Sequence, residues 1–230
     1  MCSGLTEYDD LDADVRTYEP IYLWRPDDGR PRPPDILSYY PTLHNDGEHG
    51  GPFRYRSILT DVLGWVLERA ADRRLHELVS ELIWQPMGAE YDAEVTVDAH
   101  GNAMADGGVC ATLRDLARFG ALYLSGGLLP AAWIADTARG APDGAEAFRA
   151  GEDRPDWPPG GHYRNCWWVR DPAAPYLVAA GIYGQNIYVL PADDLVIAKF
   201  STWPSASDHS LGELTLAAVQ SIAERLREGD

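Results

Sequence analysis

The apolar residues of this sequence change their spacing along the chain, and the order of those changes constrains the fold more than any other feature. Between positions 57 and 138 they recur three and four residues apart, the spacing of amphipathic helices. From 162 to 230 the chain carries short runs of β-branched and aromatic residues between turn residues, and then one last helical stripe. Helices, an antiparallel meander and a terminal helix that covers one face of the sheet indicate an α+β fold.

Residues 1–56 differ from both of these parts. Repeated prolines interrupt any helix there and aspartates are frequent, so this segment is predicted to be a long surface loop. The whole chain of 230 residues has the length of one domain. Thr112 is predicted to cap one helix, and Ser210–Glu213 forms a predicted capping box that opens the last helix. The apolar side predicted for that last helix consists of Leu211, Leu214, Ala218, Ile222 and Leu226. The predicted elements are helices at 57–70, 75–83, 113–124 and 210–226, a loop at 139–161, and strands at 166–169, 176–178, 185–190 and 195–200.

Charge and cysteine content exclude several classes of function. Nineteen Lys and Arg against 36 Asp and Glu give a net charge of −17, which repels phosphate backbones and anionic lipids, so we expect no nucleic-acid or membrane partner. The three cysteines lack the spacing of a disulfide framework or a metal site. No two histidines are two or four residues apart, and we expect no metal and no other cofactor. The sequence as written shows no export signal, which predicts a cytoplasmic location.

Tyr55 is the first candidate for chemistry. It lies two residues before the predicted helix start at Ser57, where the positive end of the helix dipole favours a phenolate over a phenol. A tyrosine held there is placed to act as a general base. The sequence leaves open the alternative of a loop tyrosine that packs on Trp65 or Phe53.

The second candidate is the segment Gly181–Gln185, where two glycines flank an aromatic residue next to a predicted strand. Glycine at a strand edge lets a ligand approach the main-chain N–H and C=O groups closely. The candidate substrate-binding residues are therefore Gly181, Ile182, Tyr183, Gly184 and Gln185. The alternative is a bulge or turn that binds nothing.

Four blocks of sequence occur in a recognisable order. They are FRYRSILTDVLGW at 53–65, IWQPMGA at 83–89, GGVCATLRDLARFG at 107–120 and GIYGQ at 181–185. Together they resemble the serine β-lactamase-related hydrolases, and within them the class C-like branch that contains 6-aminohexanoate-dimer hydrolase and related esterases. The resemblance implies a β-lactamase/penicillin-binding-protein-like (transpeptidase-like) fold, with an antiparallel sheet packed against helices.

The resemblance also implies acyl transfer through a serine ester, on an amide or ester bond of a small substrate. In that family Ser-x-x-Lys supplies the nucleophile, Tyr-x-Asn or Tyr-x-Ser a second base, and a strand motif lines the pocket. By resemblance Tyr55 and Ser57 match the Tyr-x-Ser motif. Ala179–Gly181 occupies the strand-motif position, with alanine where many relatives carry Lys, His or Trp. Tyr8 is similar to a tyrosine on a loop that closes over the substrate.

Lys199 is the only lysine of the chain, and Val196 rather than a serine lies three positions before it. Because no Ser-x-x-Lys is present, we expect residues 1–230 to be one incomplete domain, without two N-terminal strands and the nucleophile helix, and inactive by itself. An exposed sheet edge then favours self-association. The alternative is a catalytically inactive remnant that binds a small ligand or a partner in the same pocket.

Overall fold

The computed structural model describes residues 20–24, 26, 29–45, 47–151 and 157–229. These residues form two compact units. The first comprises the described residues up to Trp84 together with 92–111, and the second comprises 85–91 and the described residues from Thr112 onward.

The first unit is built around a core of aromatic and aliphatic side chains next to a short helix, α1 (Ile36–Tyr39). Asp98 ties this helix to a distant loop, because its carboxylate accepts hydrogen bonds from the Ile36 N–H at 3.1 Å and the Asn102 N–H at 2.9 Å. The core residues are Ile21, Tyr22, Ile36, Tyr39, Tyr40, Ile58 and Met104. Most of them precede residue 57, so the predicted surface loop instead supplies core side chains, because a proline-rich backbone can still bury its aromatic residues.

Helix α2 (Ile58–Ala71) follows Ser57, as the sequence predicts. Ser57 occupies the N-cap position, but its side chain makes no capping hydrogen bond. Asp61 in the first turn anchors the helix instead: it is buried, and its carboxylate accepts from the N–H groups of Ala105 at 2.5 Å and Asp106 at 3.0 Å. Carboxylates near a helix N-terminus also interact favourably with the helix dipole.

The apolar stripe of α2 is buried only in part. Leu63, Val66 and Leu67 are 52%, 51% and 48% exposed. The helix approaches its neighbours through Gly64, where a Cβ atom would lie 2.9 Å from the Ala105 Cβ. A glycine and an acidic residue therefore face inward where helical periodicity predicted large aliphatic residues.

Three short elements complete the first unit. Helix α3 (Leu75–Val79) continues into a π-type turn over Ser80–Trp84, so the two together end one residue beyond the predicted second helix. Strands β1 (Glu94–Val95) and β2 (Val109–Cys110) pair antiparallel.

The second unit contains a five-stranded antiparallel sheet whose strands lie in chain order. These strands are β3 (His162–Arg164), β4 (Trp167–Val169), β5 (Leu177–Ala180), β6 (Asn186–Leu190) and β7 (Leu195–Lys199). The predicted α+β class and antiparallel meander are confirmed, and β3 is an additional strand. Strand β7 pairs with β6 and forms one end of the sheet.

One face of the sheet is covered by α4 (Leu113–Ser125). The predicted cap is confirmed, because the Thr112 hydroxyl accepts a hydrogen bond from the Asp115 N–H at 3.2 Å. Gly120 brings the helix close to the sheet, since a Cβ atom there would lie 2.7 Å from Val196 Cγ1 and 2.9 Å from Ile187 Cγ2.

The other face is covered by α7 (His209–Glu228). Its buried residues Val219 and Ala223 pack with Tyr188 and Leu190 of β6. Its cap is Asp208, whose carboxylate accepts from the Leu211 N–H at 3.0 Å. The predicted capping box at Ser210–Glu213 is therefore wrong by two residues, because an aspartate just upstream serves as the cap.

The apolar side predicted for α7 is not its packing face. Leu214, Ile222 and Leu226 are 66%, 46% and 51% exposed. Helix α7 is rotated so that smaller residues contact the sheet, and this leaves a stripe of large side chains on its surface, which we call the α7 stripe (Leu214, Ile222, Leu226).

Two further helices lie before the sheet. Helix α5 (Ala131–Arg139) contacts β3 through Asp136, whose carboxylate accepts from the Arg164 guanidinium at 2.8 Å. Helix α6 (Gly144–Gly151) lies inside the segment 139–161. The prediction of a continuous loop there is wrong, because the proline and glycine content of the segment conceals two turns of helix.

Candidate active site

Tyr55 and Ser57 lie at the start of α2 in the first unit. Arg56 between them is buried, whereas the Tyr55 side chain is 43% exposed. The Ser57 hydroxyl takes no part in capping the helix. Both side chains thus lie beside the N-terminus of a 14-residue helix, where the first-turn N–H groups carry partial positive charge.

Two other tyrosines of the first unit lie in a different environment. Burial, with a further contribution from the Asp61 carboxylate, raises the pKa of Tyr22 and of Tyr40 far above the usual value of a phenol. Both remain neutral over the ordinary pH range, and the Tyr22 hydroxyl donates to the Ala103 carbonyl at 3.4 Å. These two phenols are core groups, and they are not placed to transfer a proton to a ligand.

The segment Gly181–Gln185 forms a tight turn between β5 and β6 in the second unit. A 3₁₀ turn covers Ile182–Gly184, and the Gly181 N–H donates to the Gln185 carbonyl at 2.7 Å. Ile182 and Tyr183 are 54% and 45% exposed. The segment is therefore a turn, and it presents the side chains of Ile182 and Tyr183 to solvent.

Residues 201–206, which come after β7, hold the turn in place by hydrogen bonds. The Gln185 side-chain amide donates to the Ser201 carbonyl at 2.6 Å, and its oxygen accepts from the Ser201 N–H at 3.2 Å. The Tyr183 N–H donates to the Ala206 carbonyl at 2.9 Å. The Gln185 side chain is thus engaged within the protein.

The structure gathers the predicted site residues into two groups, one in each unit. Tyr55 and Ser57 form the first group, and the turn Gly181–Gln185 forms the second. Ala179 and Ala180 are the last residues of β5 and lead directly into the turn. Tyr8 lies outside the described residues.

Sequence reasoning missed the connection of Lys199 to this turn. Lys199 ends β7 directly opposite Asn186, the first residue of β6 after the turn. Its ammonium group donates to the Gly184 carbonyl at 3.0 Å. The hairpin turn at Pro191–Asp193 fixes that register, and counting outward from it along both strands would have placed Lys199 beside the turn.

His162 has a structural environment. It is buried, and its two ring nitrogens lie 3.0 Å from the Gly160 carbonyl and 3.2 Å from the Thr137 carbonyl. Within the described ranges, no three His, Cys, Asp or Glu side chains converge on a position that could hold a metal. None of the helices found in those ranges is both long and apolar enough to cross a membrane.

Comparison with known proteins defines the class. The sequence profile of the β-lactamase family matches residues 3–220. The solved structure of a penicillin-binding protein from Bacillus halodurans shares the fold, with a TM-score of 0.63 and 18% identity over 96% of this chain and 70% of its own. The chain belongs to the β-lactamase family, and its fold is the β-lactamase/penicillin-binding-protein type that the resemblance implied.

Two relatives indicate the branch. A 6-aminohexanoate-dimer hydrolase from Paenarthrobacter ureafaciens is 36% identical over 205 residues, which cover 86% of this chain and 51% of the relative. A solved structure assigned as a 6-aminohexanoate-dimer hydrolase from Bacillus anthracis has a TM-score of 0.82 and 25% identity, covering 97% of this chain and 57% of that one. The resemblance to this branch is confirmed. The chain spans about half the length of the curated relative that it matches.

Proposed function

We propose that this chain is the part of a serine hydrolase that carries the second base and one wall of the substrate site, and that the whole enzyme cleaves an amide or ester bond of a small substrate. One observation carries the proposal. The chain belongs to the β-lactamase family, and its Tyr55 side chain is exposed at the N-terminus of α2. Ser57, two residues later, has a hydroxyl that makes no capping hydrogen bond with the helix.

The roles of these residues follow from their positions. Tyr55 accepts the proton of the attacking serine from its position beside the N-terminus of α2, where the first-turn N–H groups carry partial positive charge. Ser57 belongs to the same motif and adds a hydroxyl beside the reacting groups. Ser-x-x-Lys is absent from these 230 residues, so we propose that the chain by itself shows negligible turnover.

The substrate we propose is a linear aliphatic amide or ester. The names of both relatives specify the 6-aminohexanoate dimer, which is such an amide. Ile182 and Tyr183 supply exposed apolar surface for an aliphatic chain, and the backbone groups of Gly181–Gln185 that are not bonded within the protein supply polar groups for its amide. Tyr8 is proposed to close over the bound substrate.

Reconstitution tests the proposal. The chain is mixed with the part of the Paenarthrobacter ureafaciens relative that it does not match, and hydrolysis of p-nitrophenyl acetate is measured. We expect hydrolysis from the mixture and none above background from the chain alone. Tyr55→Phe should lower the rate of the mixture by about 100-fold, the usual contribution of a positioned base.

Tyr91→Phe is the matched control, because Tyr91 is also exposed, at 60%, and the substitution likewise removes a phenol hydroxyl. It should leave the rate unchanged. A rate from the chain alone close to that of the intact relative contradicts the proposal, as does a reconstituted rate that is insensitive to Tyr55→Phe.

The absence of Ser-x-x-Lys from these 230 residues favours a second candidate function, that of an inactive remnant that binds a small ligand in the same pocket. It predicts that millimolar 6-aminohexanoate dimer raises the melting temperature of the chain, whereas reconstitution yields no hydrolysis. An acylated serine on the added part of the relative, detected by mass spectrometry after the mixture is incubated with the ester, excludes this candidate.

We also propose that the chain associates with a second copy of itself through β7 and α7. Among the described residues β7 pairs with β6 alone, which leaves its outer edge available. Glu213, on the opposite side of α7, pairs with Arg170 beyond β4 at 3.2 Å, so the stripe is on the side of the helix turned away from β4.

A further inference from the structure

We propose that Lys199 is a positioning residue, which together with Trp203 fixes the turn Gly181–Gln185 in the conformation that contacts substrate. The inference rests on the proposed function for the role of the turn. Its conformational part rests on contacts within the second unit alone.

Lys199 makes two contacts that use its charge. Its ammonium group donates to the Gly184 carbonyl at 3.0 Å, and it lies 4.8 Å from the centroid of the Trp203 ring. The second distance is within the range of a cation–π interaction. A partly buried ammonium group is thus held between the turn and an aromatic ring.

Trp203 contacts the same turn by shape and by hydrogen bonding. Gly184 has a φ of +82°, and a Cβ atom there would lie 2.4 Å from Trp203 Cε2, so the indole occupies the space beside this glycine. The backbone N–H of Trp203 also donates to the Tyr183 carbonyl at 3.2 Å. Lys199 and Trp203 therefore bind adjacent peptide groups of the turn.

The conformation that they hold is an unfavourable one. Tyr183 has a φ of +57°, in the left-handed region that residues other than glycine, asparagine and aspartate seldom adopt. Its ring is 45% exposed, so packing compensates for this strain only in part. Backbone strain maintained by surrounding contacts, at a residue whose side chain faces solvent, is typical of ligand-binding sites.

The choice of lysine at this position supports the inference. Every other basic side chain among the 19 Lys and Arg residues is an arginine. An ammonium group is a compact donor that one carbonyl and one ring face can enclose, whereas guanidinium is a planar fork suited to carboxylates. Because Lys199 is the single lysine of the chain, lysine-specific isotope labelling gives resonances that are assigned to it without ambiguity.

The first arm of the test is spectroscopic and needs no ligand. The full chain is labelled with ¹³C,¹⁵N-lysine, and we expect the Lys199 ε-protons to resonate upfield of a solvated lysine because of the Trp203 ring current. Trp203→Leu should abolish that displacement. In ¹⁵N-tyrosine-labelled protein, Lys199→Met should speed hydrogen exchange of the Tyr183 amide by about tenfold, the scale of one hydrogen bond to a charged donor.

The second arm measures binding of the 6-aminohexanoate dimer by calorimetry. Lys199→Met should raise the dissociation constant by about tenfold while the melting temperature changes little, and Lys199→Arg should restore part of the affinity because guanidinium can still donate to the Gly184 carbonyl. Arg225→Met is the matched control, since it removes one positive charge from an exposed position on α7. It should change neither the exchange of the Tyr183 amide nor the affinity.

The two arms separate the inference from the proposed function. A Lys199 resonance at the solvated position, or unchanged Tyr183 exchange in Lys199→Met, overturns the inference whatever the ligand does. Equal affinity of wild type and Lys199→Met overturns its functional part. If the first arm succeeds and wild type fails to bind the dimer, the proposed contact of the turn with this substrate is wrong and the conformational role of Lys199 is confirmed.

Discussion

At the scale of single residues, Trp203 lies beside two glycines that should respond in opposite ways to an added methyl group. At Gly184 a Cβ atom would lie 2.4 Å from the indole, at a φ of +82°, whereas at Gly212 in α7 it would lie 4.0 Å away. Gly184→Ala should lower the free energy of unfolding by about 2 kcal/mol, through strain and overlap. Gly212→Ala should raise it by about 0.5 kcal/mol, because alanine favours the helix.

Urea denaturation of the two variants and of wild type measures both effects. Gly107→Ala is a further control, because a Cβ atom there meets nothing within 4 Å. Equal stability of Gly184→Ala and wild type would show that Trp203 moves aside, and the packing described for the turn would then be wrong.

Single residues also show what the sequence could reveal of the site. Thr112 is recognisable as a cap because its hydroxyl and the Asp115 N–H are close in the chain, and such local hydrogen bonds leave a short pattern. Gly181–Gln185 is recognisable by its glycines. The contact of Lys199 with Gly184 joins residues 15 positions apart, so it is found only by counting the strand register outward from the turn at Pro191–Asp193.

At the scale of elements, Asp115 joins α4 to the loop that precedes it in the second unit. Its carboxylate accepts from the N–H groups of Glu90 at 2.8 Å and Tyr91 at 3.2 Å, and it pairs with Arg118 at 2.8 Å. The Glu90 N–H, followed by the Thr112 hydroxyl and Arg118, holds the pKa of this carboxyl below its ordinary value.

The lowered pKa of Asp115 predicts the sign of a pH effect. A carboxyl whose pKa is lower in the folded than in the unfolded state stabilises the fold above its unfolded pKa of about 4, and this contribution is lost as the pH falls through the folded pKa. Asp115→Asn should therefore lower the melting temperature by several degrees at pH 7, and by less at pH 3. Asp92→Asn, an exposed control, should change little at either pH. Melting curves from pH 3 to 7 measure the difference in melting temperature between Asp115→Asn and wild type. If that difference grows as the pH falls, the lowered pKa described for Asp115 is wrong.

The elements that the sequence missed share a physical cause. Strand β3 is joined to β4 by Asn165 and Cys166, both at positive φ, and a cysteine in place of the usual glycine conceals the two-residue turn. Helix α6 lies between glycines and spans only eight residues, too few for a clear period. For α7 the period was recognised but the packing face was not. Val219 and Ala223 pack against the sheet while larger side chains of α7 stay exposed, and hydrophobicity alone does not encode which side of the helix packs.

At the scale of the whole molecule, two opposing forces act on the proposed association with a second copy. The net charge of −17 opposes it, whereas the outer edge of β7 and the α7 stripe are the surfaces proposed to favour it. Screening shortens the range of the repulsion to about 8 Å at physiological ionic strength and leaves apolar burial largely unaffected. Self-association should therefore increase with salt, which distinguishes it from association driven by ion pairs.

Light scattering coupled to size exclusion tests this prediction on the intact chain, over a series of sodium chloride concentrations. Wild type should exceed the monomer mass of 25.4 kDa, and the excess should grow with salt. Ile222→Glu places a charge in the α7 stripe. It should raise the dissociation constant of self-association about tenfold, because association would then bury a carboxylate at the contact. Ala217→Glu adds the same charge at an exposed position of α7 outside the stripe and should not. A wild-type chain that stays monomeric at high salt and 100 µM protein, or an equal response to both substitutions, contradicts association through this surface.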